Sequence, residues 1–212
     1  MPENESKYEL LLDEFIEVMG TKLFRIRAKC SFGSIEQGEK GGYIEAEKNL
    51  SQENNAWVFG NAEVFGNARV SENARVSENA RVSENARVSE NARVSENAEV
   101  FGDARVFGDA WVFGDAWVFG DAWVSGNAGV SGSARVSGSA RVSKSSDVLL
   151  VGPIGSRDAY LTIIVPIETA STGCFTGSLD ELEEAAKKNE RQDYLDLLPG
   201  IRAIVERRKA VA

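Results

Sequence analysis

Valine occupies every sixth position from Val58 to Val142, fifteen times without a miss, and alanine stands two residues before each one, from Ala56 to Ala140. The unit reads Ala-x-Val-(Phe/Ser)-(Gly/Glu)-(Asn/Asp), with Ser replacing Asn/Asp late in the run. A period of six matches neither the 3.6-residue helix nor the seven-residue coiled coil. Fixed periodicity of this kind indicates a solenoid, and a hexapeptide unit a parallel β-helix.

The chemistry of the unit agrees. Ala-x-Val is a short strand whose alternate side chains, Ala and Val, point inward while x points out. The next three residues turn a corner. Gly tolerates unusual φ there, and Asn or Asp is the next best residue for a left-handed backbone. Three strands and three corners make an eighteen-residue coil; a flatter twelve-residue, two-sided coil is the alternative. Each buried Val contributes roughly 1.5–3 kcal/mol. Five coils stacked at about 4.8 Å give a rod on the order of 24 Å long. Ile44 and Leu50 fall in the alanine register and Val148 in the valine register, so the rod is expected to start near Ile44 and end near Val148.

The fold class expected is therefore mainly β, over 212 residues divided into three parts. Residues 1–43 form a small β or α/β cap, 44–148 the β-helix, and 149–212 an α+β module. A parallel stack without caps leaves unpaired strand edges at both ends and would join end to end. In the last part, Val148–Val151, a Gly-Pro turn and Tyr160–Val165 suggest a hairpin. Ser178-Leu-Asp-Glu181 is a capping box that starts a helix running to about Asn189. A second helix covers Gln192 to Lys209, interrupted or kinked near Pro199-Gly200.

Two sets of residues carry a resemblance. The hexads Val58-Phe-Gly-Asn-Ala62 and Val112-Phe-Gly-Asp-Ala116 resemble the left-handed, three-sided β-helix of the hexapeptide-repeat superfamily. The lead-in Lys29-Cys-Ser-Phe-Gly-Ser-Ile-Glu-Gln-Gly-Glu-Lys-Gly-Gly-Tyr-Ile-Glu45 is similar to that of bacteriophage and prophage hexapeptide-repeat proteins, and to the YdcK-type proteins that carry an acyltransferase label. Gly173-Cys-Phe-Thr-Gly-Ser-Leu-Asp-Glu-Leu-Glu-Glu184 resembles a module that follows such repeats in phage proteins. The resemblance implies the fold and a phage origin, not a function.

The chain contains no histidine. Hexapeptide-repeat acyltransferases typically use a histidine base between subunits, and break their repeats with a loop that shapes the active site. Here fifteen hexads run without insertion. Asp103, Asp109, Asp115 and Asp121 stand where other hexads have Asn, and read as corner formers rather than bases. No catalytic residue, metal ligand or cofactor is expected. The charge of −9 divides as −4 over residues 1–55, −2 over 56–146 and −3 over 147–212, which disfavours general nucleic-acid binding. No apolar run is long enough for a membrane span. Met1–Glu5 is acidic and lacks the features of a signal peptide, which points to the cytoplasm of a bacterial host. Cys30 and Cys174 are expected as free thiols.

Other functions of β-helices fit poorly. Ice binding favours a threonine array and the repeats hold no threonine. DNA mimicry needs a one-sided anionic surface, and calcium-binding nonapeptides have another period. Gly152-Pro-Ile-Gly155 is a turn and too short for a phosphate loop.

The outward x residues, taken in steps of eighteen, form three columns: Trp57, Arg75, Arg93, Trp111, Gly129; Glu63, Arg81, Glu99, Trp117, Arg135; and Arg69, Arg87, Arg105, Trp123, Arg141. Between Arg69 and Glu99 five Arg and six Glu alternate, which reads as a solvated salt-bridge lattice, or as Arg forks that grip a phosphate or carboxylate. Trp111, Trp117 and Trp123 project one from each face of a single coil, with Phe101, Phe107, Phe113 and Phe119 at its corners. Such a band is covered by the C-terminal module, buried between subunits of a dimer or trimer, or used with Arg105 and Arg135 to stack on a ring. The chain is expected to be a self-associating, non-enzymatic scaffold that presents this surface to a partner. The alternatives are a binder of a small host ligand, such as a nucleotide signal, and a CoA-dependent acyltransferase.

Overall fold

A computed structural model describes residues 6–154 and 159–210. The acidic start Met1–Glu5 and Gly155, the last residue of the segment expected as a turn, lie outside them. The architecture is mainly β: a stacked parallel solenoid of about six turns, followed by an antiparallel sheet and two helices. Strands β1 (Tyr8–Val18), β2 (Thr21–Ala28) and β3 (Lys40–Ile44) lead in. Fifteen two-residue strands then recur every six residues, from β4 (Trp57–Val58) to β18 (Arg141–Val142). They stack into three parallel sheets in which each strand pairs with the one eighteen residues on, as Arg87 with Arg105 and Val88 with Val106. The coil is three-sided, and the three outward columns are those read from the sequence.

The core is a stack of the inward Ala and Val residues, at most 1% exposed from Ala56 to Val142. Coil-to-coil hydrogen bonds such as Arg69 N to Ala86 O, at 2.9 Å, close the backbone. The left-handed corner residue is the fifth of the hexad, not the Asn/Asp expected to take that role. Glu72, Glu78, Glu84, Glu90 and Glu96 all have φ between 59° and 61°. Asn at the sixth position has a different task. Its side-chain amide donates to the same position one coil on, as Asn55 to Asn73 (3.0 Å) and Asn97 to Asp115 (3.0 Å).

Ile44 pairs with Val64, and Leu50 bridges Val70. Both therefore sit in the valine register, two residues from the alanine register expected of them. The first coil is longer than the others, with twenty residues separating each pair, and the excess is taken up before Ala56. The N-terminal cap is all β. Its hairpin β1–β2 joins the solenoid sheet through β3, which packs very closely: a Cβ on Gly42 would lie 2.6 Å from the Ala62 carbonyl oxygen. The cap seals the rod over Trp57, which is fully buried although it belongs to an outward column. Phe32 and Tyr8 meet its ring edge-on at 5.4 and 6.1 Å. Lys7 is buried beside them, its Nζ donating to the carbonyls of Ala56 (3.0 Å), Glu53 and Asn54 (both 3.4 Å).

Parallel pairing ends at β18. Val148 does not continue the valine register but opens β19 (Val148–Ile154), which pairs antiparallel with β20 (Ala159–Ile164). The expected hairpin extends to four strands through β21 (Thr169–Thr172) and β22 (Phe175–Ser178). The Gly152-Pro153 pair lies inside β19, where the pairing register shifts. Ile164, with Val148 and Leu150 partly buried, closes the C-terminal end of the rod's core. Helix α1 (Leu179–Lys188) starts at the expected capping box, Glu181 N donating to Ser178 Oγ at 3.2 Å. Helix α2 (Gln192–Lys209) is not interrupted; it runs through Pro199-Gly200. Burial of Tyr194, Leu198, Ile201 and Val205 along one face outweighs the hydrogen bond that Pro199 cannot make. Arg202 clamps the two helices through Asp180 (2.7 Å) and Glu183 (3.0 Å).

Candidate binding surface

Because the coil is three-sided, the aromatic residues of the belt form three clusters, each centred on its own face, rather than a continuous band. On the second face Trp117 meets Phe101 edge-on at 6.0 Å, and Phe101 stacks on Phe119 at 5.0 Å with the rings 4° from parallel. The Arg135 guanidinium lies 4.7 Å above Trp117 and donates to the Gly173 carbonyl at 2.9 Å, tying this face to the C-terminal sheet. On the third face Trp123 meets Phe107 edge-on at 5.9 Å and lies under two guanidiniums, Arg105 at 5.0 Å and Arg141 at 4.3 Å. On the first face Trp111 is tilted against Phe113 at 4.6 Å, and its indole N–H donates to Ser95 Oγ at 3.2 Å.

The structure thus joins Arg135 to Trp117 and Arg105 to Trp123. It does not bring Arg105 and Arg135 to one site. Trp117, Trp123 and the four Phe are half-buried, whereas Trp111 is 45% exposed. The reason lies one coil on, where the column carries Gly129 instead of a side chain. The gap is a cavity of about 480 Å³, walled by Trp111 and Phe113 on one side and Val148 and Leu150 on the other. Asp109, Asn127, Ser131 and Ser145 form its polar rim. Ser145 Oγ accepts from Gly129 N at 3.0 Å.

Arg141 is a cluster member that sequence reasoning passed over, although its place one coil beyond Trp123 in the same column was available. Val148 and Leu150 gave no such signal, since their position depends on how the chain leaves the rod. The expected salt-bridge lattice does not form. Among the described residues only Arg81 of the rod's arginines is ion-paired, to Glu63 (2.8 Å) and Glu99 (4.0 Å). Those two glutamates stand in its own column. The corner glutamates leave the rod at its edges, away from arginines that rise from the middle of each face.

The described residues contain no group of His, Cys, Asp and Glu placed to hold a metal ion, and no helix long and apolar enough to cross a membrane. Cys30 and Cys174 are free thiols. The YdcK beta solenoid repeat model matches residues 74–90 and 80–96, two windows offset by one hexad. No curated protein matches the chain. The repeat of this chain is thus similar to a YdcK-type β-solenoid, and the matched windows lie along the run of Ser-Glu-Asn-Ala-Arg-Val hexads and its immediate continuation.

Proposed function

We propose that this chain is a non-enzymatic interaction scaffold of the phage type, which self-associates and presents its aromatic–arginine clusters to a partner protein. The observation that carries this reading is the arrangement on one coil: three tryptophans on three faces, each with aromatic or guanidinium neighbours, and Trp111 left 45% exposed. Tryptophan and arginine dominate interface hot spots because they combine large apolar area with directed polar contacts. An uninterrupted rod without histidine supports a binding role over acyl transfer.

The test is analytical ultracentrifugation and affinity capture with wild-type chain and the triple variant Trp111→Ser/Trp117→Ser/Trp123→Ser. The variant is expected to keep its β-sheet spectrum and to lose assembly or partner capture. Unchanged assembly and capture would remove the clusters from the function.

The cavity beside Gly129 favours a second reading, sequestration of a small ring-bearing ligand. Trp111 and Phe113 supply stacking surface there and Asp109 and Asn127 supply polar contacts. Native mass spectrometry of freshly purified protein separates the two readings: a stoichiometric extra mass, lost on denaturation and absent from Gly129→Arg, supports the ligand.

A further inference from the structure

The three faces of the rod differ in charge. On the second face Arg81 is neutralised by Glu63 and Glu99. The third face carries Arg69, Arg87 and Arg105 in one column, and among the described residues none of them makes an ion pair. Like charges stacked one coil apart, at about 4.8 Å, oppose each other. Along one edge of the same face stand Glu72 and Glu90, exposed and likewise without an ion pair. Two grooves flank the arginine column. One, of about 640 Å³, is bordered by Lys48, Arg69, Ser71, Glu72 and Arg87. The other, of about 290 Å³, runs along Asn67, Asn85 and Asp103.

We infer that this face is the seam of a parallel homodimer, in which the arginine column of each rod lies on the Glu72–Glu90 column of the other. The inference rests on the self-association proposed above, and it adds a face and a direction. Pitch is the first argument. Arg69 and Arg87 are one coil apart, as are Glu72 and Glu90, so a second copy of the rod offers carboxylates at the spacing the arginines require. Symmetry is the second. A 180° rotation about an axis parallel to the rods, midway between the two columns, exchanges the columns without changing height. Arg69 then meets Glu72 of the second copy, Arg87 meets its Glu90, and the reverse pairs form together. An axis perpendicular to the rods sets glutamate edge against glutamate edge. The parallel rotation also brings Phe107, which lies between the two columns one coil on, toward its own copy as an apolar anchor. A polyanion fits less well, because Glu72 and Asp103 line the same grooves and two guanidiniums already lie over Trp123.

The experiment is sedimentation equilibrium of the full chain at low and high salt. It compares wild type, Arg69→Glu/Arg87→Glu, Glu72→Arg/Glu90→Arg, and an equimolar mixture of the two variants. All four positions point outward, so the rod's spectrum is unchanged. The wild-type dimer weakens with salt, each variant alone dissociates about tenfold or more readily, and the mixture forms a one-to-one heterodimer. Variants as dimeric as wild type, a mixture that stays monomeric, or a wild-type trimer overturns the seam. A wild-type oligomer indifferent to these reversals moves self-association to the aromatic clusters. A wild type monomeric at every salt concentration removes both proposals.

Discussion

The side-chain amide of Asn91 donates to the carboxylate of Asp109 one coil further on, across 3.1 Å. It is the last rung of a ladder that runs from Asn55 through Asn73. Asn55 opens it as a donor, and Asn73 and Asn91 each accept from the coil before and donate to the coil after. An aspartate, which only accepts when ionised, closes the series. Replacing Asn91 by Ala removes a donor and an acceptor together, and is expected to lower stability by about 0.5–1 kcal/mol. Asp109→Asn keeps the acceptor and is expected to be close to neutral. Urea denaturation of both variants checks the pair.

The corners predict opposite effects for opposite exchanges. Glu78 holds φ at 61°, so Glu78→Gly relieves a left-handed side chain and is expected to stabilise by about 0.5–1 kcal/mol, net of the flexibility glycine gains when unfolded. At Gly114 a Cβ would stand 2.8 Å from Gly132 N. Gly114→Glu therefore adds collision to strain, and is expected to cost about 2 kcal/mol or more. Thermal melting of the two variants gives the sign of each directly.

A third prediction concerns pH. Burial lowers the Lys7 ammonium from its ordinary value of 10.5 to about 8, with the electrostatic influence of nearby Cys30 opposing the shift. Between pH 8 and 10.5 the unfolded chain holds a proton that the folded one has released, so stability rises with pH across that window. Below pH 8 the full penalty remains, about 3 kcal/mol at most. Burial, with the charge of Glu47, raises the Tyr8 hydroxyl above its ordinary 10.0; it donates to the Leu50 carbonyl at 2.7 Å. Above about pH 10 unfolded tyrosine ionises while Tyr8 does not, and stability falls. Lys7→Met is expected to flatten the rising limb and Tyr8→Phe the falling one, measured as denaturation midpoints from pH 7 to 11.

Fluorescence quenching separates the four tryptophans. Trp57 is fully buried and Trp111 is 45% exposed. Trp111→Phe is expected to remove the most quenchable component and Trp57→Phe the component acrylamide does not reach. Equal quenching of all four in the native protein would contradict the cap.

The sequence carried the solenoid almost completely, because a strict six-residue period makes every outward residue a matter of adding eighteen. That arithmetic located the columns of Trp111, Trp117 and Trp123 correctly. It failed where the chain stops counting. The longer first coil shifted Ile44 and Leu50 into the valine register, and Val148 kept the period while its backbone turned into β19. Composition also misled at the surface. Arg and Glu alternate along the chain, but Arg87 rises from a strand and Glu90 from a corner, so neighbours in sequence are not partners in space. The cavity at Gly129 needed the path of residues 145–150, which no local pattern encodes.

Three strands per coil also give the rod the property of an indexing shaft. Inserting one Ser-Glu-Asn-Ala-Arg-Val hexad advances the C-terminal sheet and helices by only about 1.6 Å but turns them about 120° relative to the N-terminal cap. Three hexads restore the original angle one coil further along. Four identical hexads in a row, from Ser71 to Val94, are the kind of tract in which recombination adds or deletes single units. Such a change re-aims one end of the molecule against the other without altering a residue in either.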